Sequence, residues 1–230
     1  TQAPPGAIEI IMFGQNNFEE IKNAVENSDV VINLCGILFE NRKQKFNSIH
    51  GDIPESIAKL CAQSKVKKFI HVSAIGASKD SKSKYQQSKF LGEEKALSNF
   101  DKTVIIRPSV VIGNEDNFTN LFAKLSLSPI IPVVNVNYKF EPIFVNDVAR
   151  AILKAIETKN NEGKIYELGG GRVISFGDMI KLILSTIGKK RIVADVPMTL
   201  AKIQSSLLSI LPIDPIITKD QCLILSEKDN

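Results

Sequence analysis

The sequence predicts an α/β protein built on a doubly wound parallel sheet, on three observations. Over residues 1–113, short apolar runs alternate with amphipathic stretches, the pattern of strand and crossover helix. The run Asp29-Val-Val-Ile-Asn-Leu34 is apolar and β-branched without polar alternation, as strands covered on both faces are. Two of the runs end in Gly36 and Pro108, at the carboxyl edge where open parallel sheets bind their ligands.

In chain order, residues 8–13 predict a strand. Residues 18–26 predict a short helix, because Phe18, Ile21 and Val25 recur at helical spacing. Residues 29–34 form the second, fully buried strand. A helix over residues 53–64 feeds a strand at 68–72 (KFIHV), and a helix over 85–98 leads to a strand at 102–106 (KTVII). Four strands joined by helices give the doubly wound arrangement. After Pro108 the texture changes: Pro129, Pro132, Pro142, Pro197, Pro212 and Pro215 punctuate less regular sequence, expected to form a smaller lobe over the carboxyl edge of the sheet. Within it, residues 146–157 predict a helix capped by Asn146, and residues 175–187 another. Residues 197–211 are amphipathic, with Leu200, Ile203, Leu207, Ile210 and Leu211 along one side. That face suits packing on the lobe core, or alternatively a partner or a membrane surface.

Composition narrows the function classes. The chain has 230 residues, 43% of them apolar, enough for one large core or one core with a small lobe. No stretch reaches the roughly 18 to 20 apolar residues that a membrane-spanning helix needs. The net charge of +4, with small clusters at Lys65, Lys67, Lys68 and at Lys189, Lys190, Arg191, is too mild to point to nucleic acid. Cys35, Cys61 and Cys222 are widely spaced, and His50 and His71 are isolated, so neither a metal site nor a disulfide framework is expected. A reducing compartment fits this cysteine usage. The chain opens at Thr1 without a methionine or a basic-then-apolar leader, which reads as a fragment or a processed form.

The strongest chemical signal is Tyr85-Gln-Gln-Ser-Lys89 at the start of a predicted helix, with Ser73 at the end of the preceding strand. Positions i and i+4 share a helix face, so Lys89 can bring its ammonium near the Tyr85 hydroxyl. A positive charge there favours phenolate and draws the tyrosine down from its usual value near 10. Tyr85 is then expected to act as general acid or base on a carbinol or carbonyl oxygen that Ser73 holds by a hydrogen bond. Taken alone the Y-x-x-x-K spacing is common, and its bland reading is a surface pair; the strand ending in Ser73 gives it context. The segment Asn33, Leu34, Cys35, Gly36 lets backbone pass close to a ligand. Pro108, Ser109, Val110 and Val111 follow the fourth strand, where Pro108 ends the ladder and frees the next backbone to meet a nicotinamide.

Together these segments resemble the short-chain dehydrogenase/reductase superfamily in its atypical or extended, NAD-dependent epimerase/dehydratase-like branch. Within it they are similar to the NAD(P)H-binding accessory subunits of respiratory complex I and their alphaproteobacterial relatives. The likeness is carried by SDVVINLCGILFE, KFIHVSAIGA, the Y-x-x-x-K followed by FLGE, VIIRPSVVIGNEDNF, EPIFVNDVARAI, KIYELGG and PIITKDQ. It implies a Rossmann core in residues 1–113, incomplete, with residues 114–230 completing the sheet and forming the smaller lobe. It also implies a bound NAD(P)H, NAD or NADP left open, contacted by Asn33 to Gly36, Ser73, Tyr85, Lys89 and Pro108 to Val111. Asp147 matches a position that helps structure the second lobe. Members begin with a strand, a G-x-x-G-x-x-G turn and a helix; this chain enters just before what would be the third strand. Phe13-Gly14-Gln-Asn-Asn-Phe18 lacks the later glycines and is not the phosphate loop. The resemblance implies a subunit with a structural or regulatory nucleotide, associated with complex I or membrane-bound quinone machinery. Its compartment would be the bacterial cytoplasm, peripheral on the inner membrane, or the mitochondrial matrix. The Ser-Tyr-Lys set leaves open a free-standing NAD(P)-dependent oxidoreductase or epimerase.

Overall fold

A computed structural model describes Ile8, Ile10, residues 18–200 and residues 217–226. Four parallel strands form the main sheet: β1 (Val30–Asn33), β2 (Lys68–Val72), β3 (Thr103–Pro108) and β8 (Ile165–Leu168), in that spatial order. The register sets Asn33 against His71 and Val72 against Ile106, so the carboxyl ends of β1, β2 and β3 lie along one edge. Helices α1 (Phe18–Glu26), α2 (Ile53–Gln63) and α3 (Lys84–Asn99) cover one face, and α5 (Val145–Glu157) the other.

Strand periodicity explains the two layers. Phe69 points into the core with Val25, Ala58, Cys61 and Ala96, whereas Ile70 points the other way, toward Val148, Ile152 and Ala155 of α5. Both are fully buried, the reason β2 lacks polar alternation. β1 departs from the sequence expectation of a strand buried on both faces. Among the described residues it has one neighbour, β2, and Ile32 is 43% exposed. The strand expected at residues 8–13 falls largely outside the described residues, and the fourth place in the sheet is taken by β8.

A buried lysine ties the layers together. Lys68 on β2 donates to the carbonyls of Ala155 and Thr158 at 2.9 and 2.6 Å and to Asn161 Oδ1 at 2.7 Å. These are orphan acceptors at the carboxyl end of α5, where a cation also meets the helix dipole favourably. At its other end α5 begins at Val145 with Phe144 in the cap position and no side-chain cap, one residue earlier than expected and without Asn146 as cap.

The second lobe has its own core. Phe122, Phe140 and Phe176 meet edge to face around Ile131, Val133 and Ile180. They come from α4 (Asn117–Leu125), β5 (Ile130–Val134), β6 (Lys139–Phe140) and α6 (Phe176–Thr186). Ser175 caps α6 by accepting from the Asp178 amide, consistent with the helix expected at 175–187. Short pairs connect the lobe: β4 (Val111–Ile112) with β7 (Ile143–Phe144), β6 with β9 (Ile174–Ser175), and β5 with β10 (Ile192–Val196). Helix α7 (Lys219–Ile224) buries Cys222 against Val134. Most of the amphipathic stretch 197–211 lies outside the described residues. No helix among the described residues is long and apolar enough to cross a membrane.

One ion pair crosses from α3 to the sheet. Glu93, buried on α3, receives both Nε (2.9 Å) and Nη2 (2.6 Å) of Arg107 on β3, and Arg107 Nη1 reaches Glu167 on β8 at 3.1 Å. Replacing one partner of a buried pair strands the other charge, at a cost of about 3–5 kcal/mol. Arg107→Met is therefore expected to lose about 3 kcal/mol in urea unfolding, whereas Glu167→Gln, on the exposed limb, loses under about 1 kcal/mol. Equal losses from the two substitutions would contradict this assignment.

Candidate functional site

The predicted site residues converge at the carboxyl edge of the sheet. The turn after β2 is set by the Ser73 amide donating to Ile106 (2.7 Å) and the Ile75 amide donating to Pro108 (3.1 Å). The Ser109 amide donates to Leu168 on β8, which fixes the exit from β3. Both serines are buried, and the hydroxyls of Ser73 and Ser109 have no partner. A buried hydroxyl without a partner costs about 1–3 kcal/mol, so two along one ligand-binding edge point to something that completes them.

Helix α3 brings in Tyr85 and Lys89. Its start is unusually well anchored. Ser83 caps it by accepting from the Gln86 amide, and Asp220, from α7, accepts from Ser83 Oγ (2.6 Å), the Lys84 amide (2.7 Å) and the Tyr85 amide (3.1 Å). The carboxylate also sits where the helix dipole favours negative charge. Lys89 is buried and donates to the Val72 carbonyl at 3.0 Å, beside Ser73. A Cβ built at Gly36 would lie 3.8 Å from Lys89 Nζ and 3.7 Å from His50 Nε2, so Gly36 borders the lysine directly.

The electrostatics differ from the sequence expectation. Burial pushes the Tyr85 phenol up to about 12, and Lys89 does not draw it down. Burial lowers Lys89 to about 8, with Glu93 opposing the fall. The two residues do share a helix face, but the ammonium is held by a backbone carbonyl. Tyr85 thus holds its proton at physiological pH, and Lys89 is the positive charge of the site.

Sequence reasoning missed two histidines. His50 sits in a π-helical turn (Asn47–Asp52) just ahead of α2. Its Nε2 accepts from the Ile37 amide at 3.0 Å, so the ring proton is on Nδ1, which donates to Ser88 Oγ at 2.8 Å. Ser88 passes the bond on to the Tyr85 carbonyl at 2.7 Å. The His50 ring stacks on Phe46 and meets the Tyr85 ring edge to face, both at 5.4 Å. His71 on β2 is the second. Asn33 Oδ1 accepts from the Cys35 amide (3.0 Å), which turns its amide nitrogen toward His71 Nδ1 (3.1 Å). The predicted ligand contact Asn33 is thereby committed to shaping its own loop. Leu34, Cys35 and Gly36 remain exposed, Pro108 is buried, and Val110 and Val111 are half-buried as the chain leaves for the second lobe. Asp147 is exposed and pairs with Arg150. A depression of about 650 Å³ lined by Lys139, Arg172, Val173, Ser175 and Asp178 lies in the second lobe and holds none of these residues. Among the described residues no three His, Cys, Asp or Glu side chains gather as a metal site would require.

The family model for the RmlD substrate binding domain matches residues 17–208, and the chain belongs to that family. Its membership, with the parallel sheet, makes it an atypical short-chain dehydrogenase/reductase-type protein. It is 34% identical over 180 residues to the mitochondrial NADH dehydrogenase [ubiquinone] 1 alpha subcomplex subunit 9 of Dictyostelium discoideum, covering 78% of this chain and 50% of that protein. The Mus musculus subunit of the same name is 32% identical over 218 residues, covering 94% and 58% respectively. The chain thus spans about half the length of the curated relatives it matches. Among solved structures, a dTDP-4-dehydrorhamnose reductase from Bacillus anthracis, in complex with NADP, superposes with a TM-score of 0.65 at 17% identity, over 90% of this chain and 82% of that one. At that identity the likeness is one of fold.

Burial also fixes a pH dependence. It lowers His50 to about 4 and His71 to about 3, and the Lys89 charge adds to both shifts. Unfolded histidines take up protons below about 6.5 while these two stay neutral, so the unfolded state binds more protons and stability is lost as the pH is lowered. Between pH 6 and 4.5, urea unfolding is expected to lose roughly 1.4 kcal/mol per pH unit for each histidine. His50→Gln should reduce that slope by about half; an unchanged slope would show that His50 does not stay neutral in the folded protein.

Proposed function

We propose that the intact protein is a nicotinamide-dinucleotide-binding subunit associated with the respiratory NADH:ubiquinone oxidoreductase, with the nucleotide mainly structural. Similarity to subunits of that complex over 94% of the chain supports the partner. The observation that carries the ligand is the pair of unpartnered buried hydroxyls, Ser73 and Ser109, at the carboxyl ends of β2 and β3, with the buried ammonium of Lys89 on the Val72 carbonyl beside Ser73. Residues 1–113 would supply the nucleotide half and residues 114–230 would complete the sheet and form the smaller lobe. The exposed backbone of Leu34 to Gly36 leaves room for a ligand to approach, and Pro108 to Val111 would border it across the edge. Assembly with that complex would set the protein on the matrix face in mitochondria, or on the cytoplasmic face in a bacterium.

A second reading, a free-standing NAD(P)-dependent oxidoreductase or epimerase, is favoured by the Tyr85 phenol. A bound nicotinamide would supply hydride transfer. Tyr85 would give a proton to the oxygen that Ser73 holds, and Lys89 would keep the local potential positive as that oxygen gains charge.

The test uses the full-length gene product. At a hundredfold excess over the dissociation constant, NADH or NADPH is expected to add about 2.7 kcal/mol and raise Tm by roughly 5–10 °C. The nucleotide giving the larger shift identifies the cofactor, and the absence of a shift with either at millimolar concentration would sink both readings. Tyr85→Phe should keep the shift. Hydride transfer by the wild type that is lost in Tyr85→Phe would favour the enzyme, and co-purification with quinone-reducing subunits would favour the subunit.

A further inference from the structure

We propose that His50 is a positioning residue that couples the Gly36–Ile37 loop to the first turn of α3. The proposal rests on the nucleotide site described above, since those are the two elements that would close on the ligand. Each link is directional. The Ile37 amide donates to His50 Nε2, His50 Nδ1 donates to Ser88 Oγ, and Ser88 donates to the Tyr85 carbonyl. An amide and a carbonyl at the two ends can each play only one part, so the intermediate imidazole and hydroxyl have no choice of orientation. The ring also touches Tyr85 through its edge. One side chain therefore sets the height of the loop, the backbone of the catalytic turn and the face on which the phenol rests.

The surroundings hold His50 in place. It is 1% exposed, so water does not compete for either nitrogen. Its own carbonyl lies where a Cβ at Gly92 would come within 1.9 Å, so the π-helical turn and α3 are in contact at the backbone. Movement of α3 is transmitted to His50 without slack, and through Nε2 to Ile37.

A relay differs from ordinary packing in that its links fail together. Ser88→Ala leaves the buried Nδ1–H without an acceptor, so the Nδ1–H tautomer that lets Nε2 accept from the Ile37 amide loses its support from the α3 side. Hydrogen exchange on the full chain should then show the Ile37 amide exchanging about tenfold faster in Ser88→Ala, although Ser88 lies on another element. An unchanged Ile37 rate overturns the proposal whether or not nucleotide binds. In nucleotide titrations His50→Gln and Ser88→Ala should each weaken NADH or NADPH binding about tenfold, and the double variant should be no weaker than either single one. Additive losses, about a hundredfold in the double variant, would also overturn it. A wild type that protects Ile37 but binds neither nucleotide counts against the proposed function alone.

Discussion

Helix α3 lies so close to the turn ahead of α2 that the contact tolerates no side chain at Gly92, and most of the site follows from that distance. The approach carries His50 under the first turn of α3 and brings His71 against the same helix. Lys89, on the same helix, places its ammonium on the Val72 carbonyl at the carboxyl end of β2. The fork of Arg107 on β3 holds Glu93, next to Gly92, so the middle of the helix is tied to the sheet as well as to the turn ahead of α2. A helix held this way presents Tyr85 and Lys89 in one rotation about its axis, which surface packing alone does not guarantee.

The price of this arrangement is the burial of many polar groups, and the structure meets it almost completely by long-range pairing. Lys68 takes the carboxyl end of α5, Asn33 orients His71, and Ser88 satisfies His50. The exceptions stand out against that background. Among the described residues the buried side-chain atoms left without partners are the hydroxyls of Ser73 and Ser109, His71 Nε2 and one carboxylate oxygen of Glu20, and the two hydroxyls lie at the carboxyl edge of the sheet. Two such gaps along one ligand-binding edge are more readily understood as contacts waiting for a ligand than as faults of packing.

Much of the fold was legible because it is written in local periodicity. The bounds of β2 and the starts of α1 and α2 agree with the apolar pattern, since continuous burial or a single apolar stripe dictates them. The placement of Ser73, Tyr85 and Lys89 was legible for the same reason: strand ends and helix spacing are short-range properties. His50, Asp220 and the Glu93–Arg107 pair were not, because their partners are 13 to 137 residues away and nothing local marks them. The pull expected of Lys89 on Tyr85 failed for a related reason. Spacing put the two on one face, but burial, a tertiary property, shifted both groups. Asn146 was misplaced as a cap because β7 runs straight into α5 and the tertiary strand pairing sets the boundary.

The hold that Asp220 has on the start of α3 orders events during synthesis. Its partners Ser83, Lys84 and Tyr85 leave the ribosome some 135 to 137 residues before it does. Until residue 220 has emerged, the start of α3 has two main-chain amides and a hydroxyl open to water. Docking of α7 therefore finishes the start of α3, and a chain interrupted before residue 220 carries Tyr85 on a turn that lacks its carboxylate.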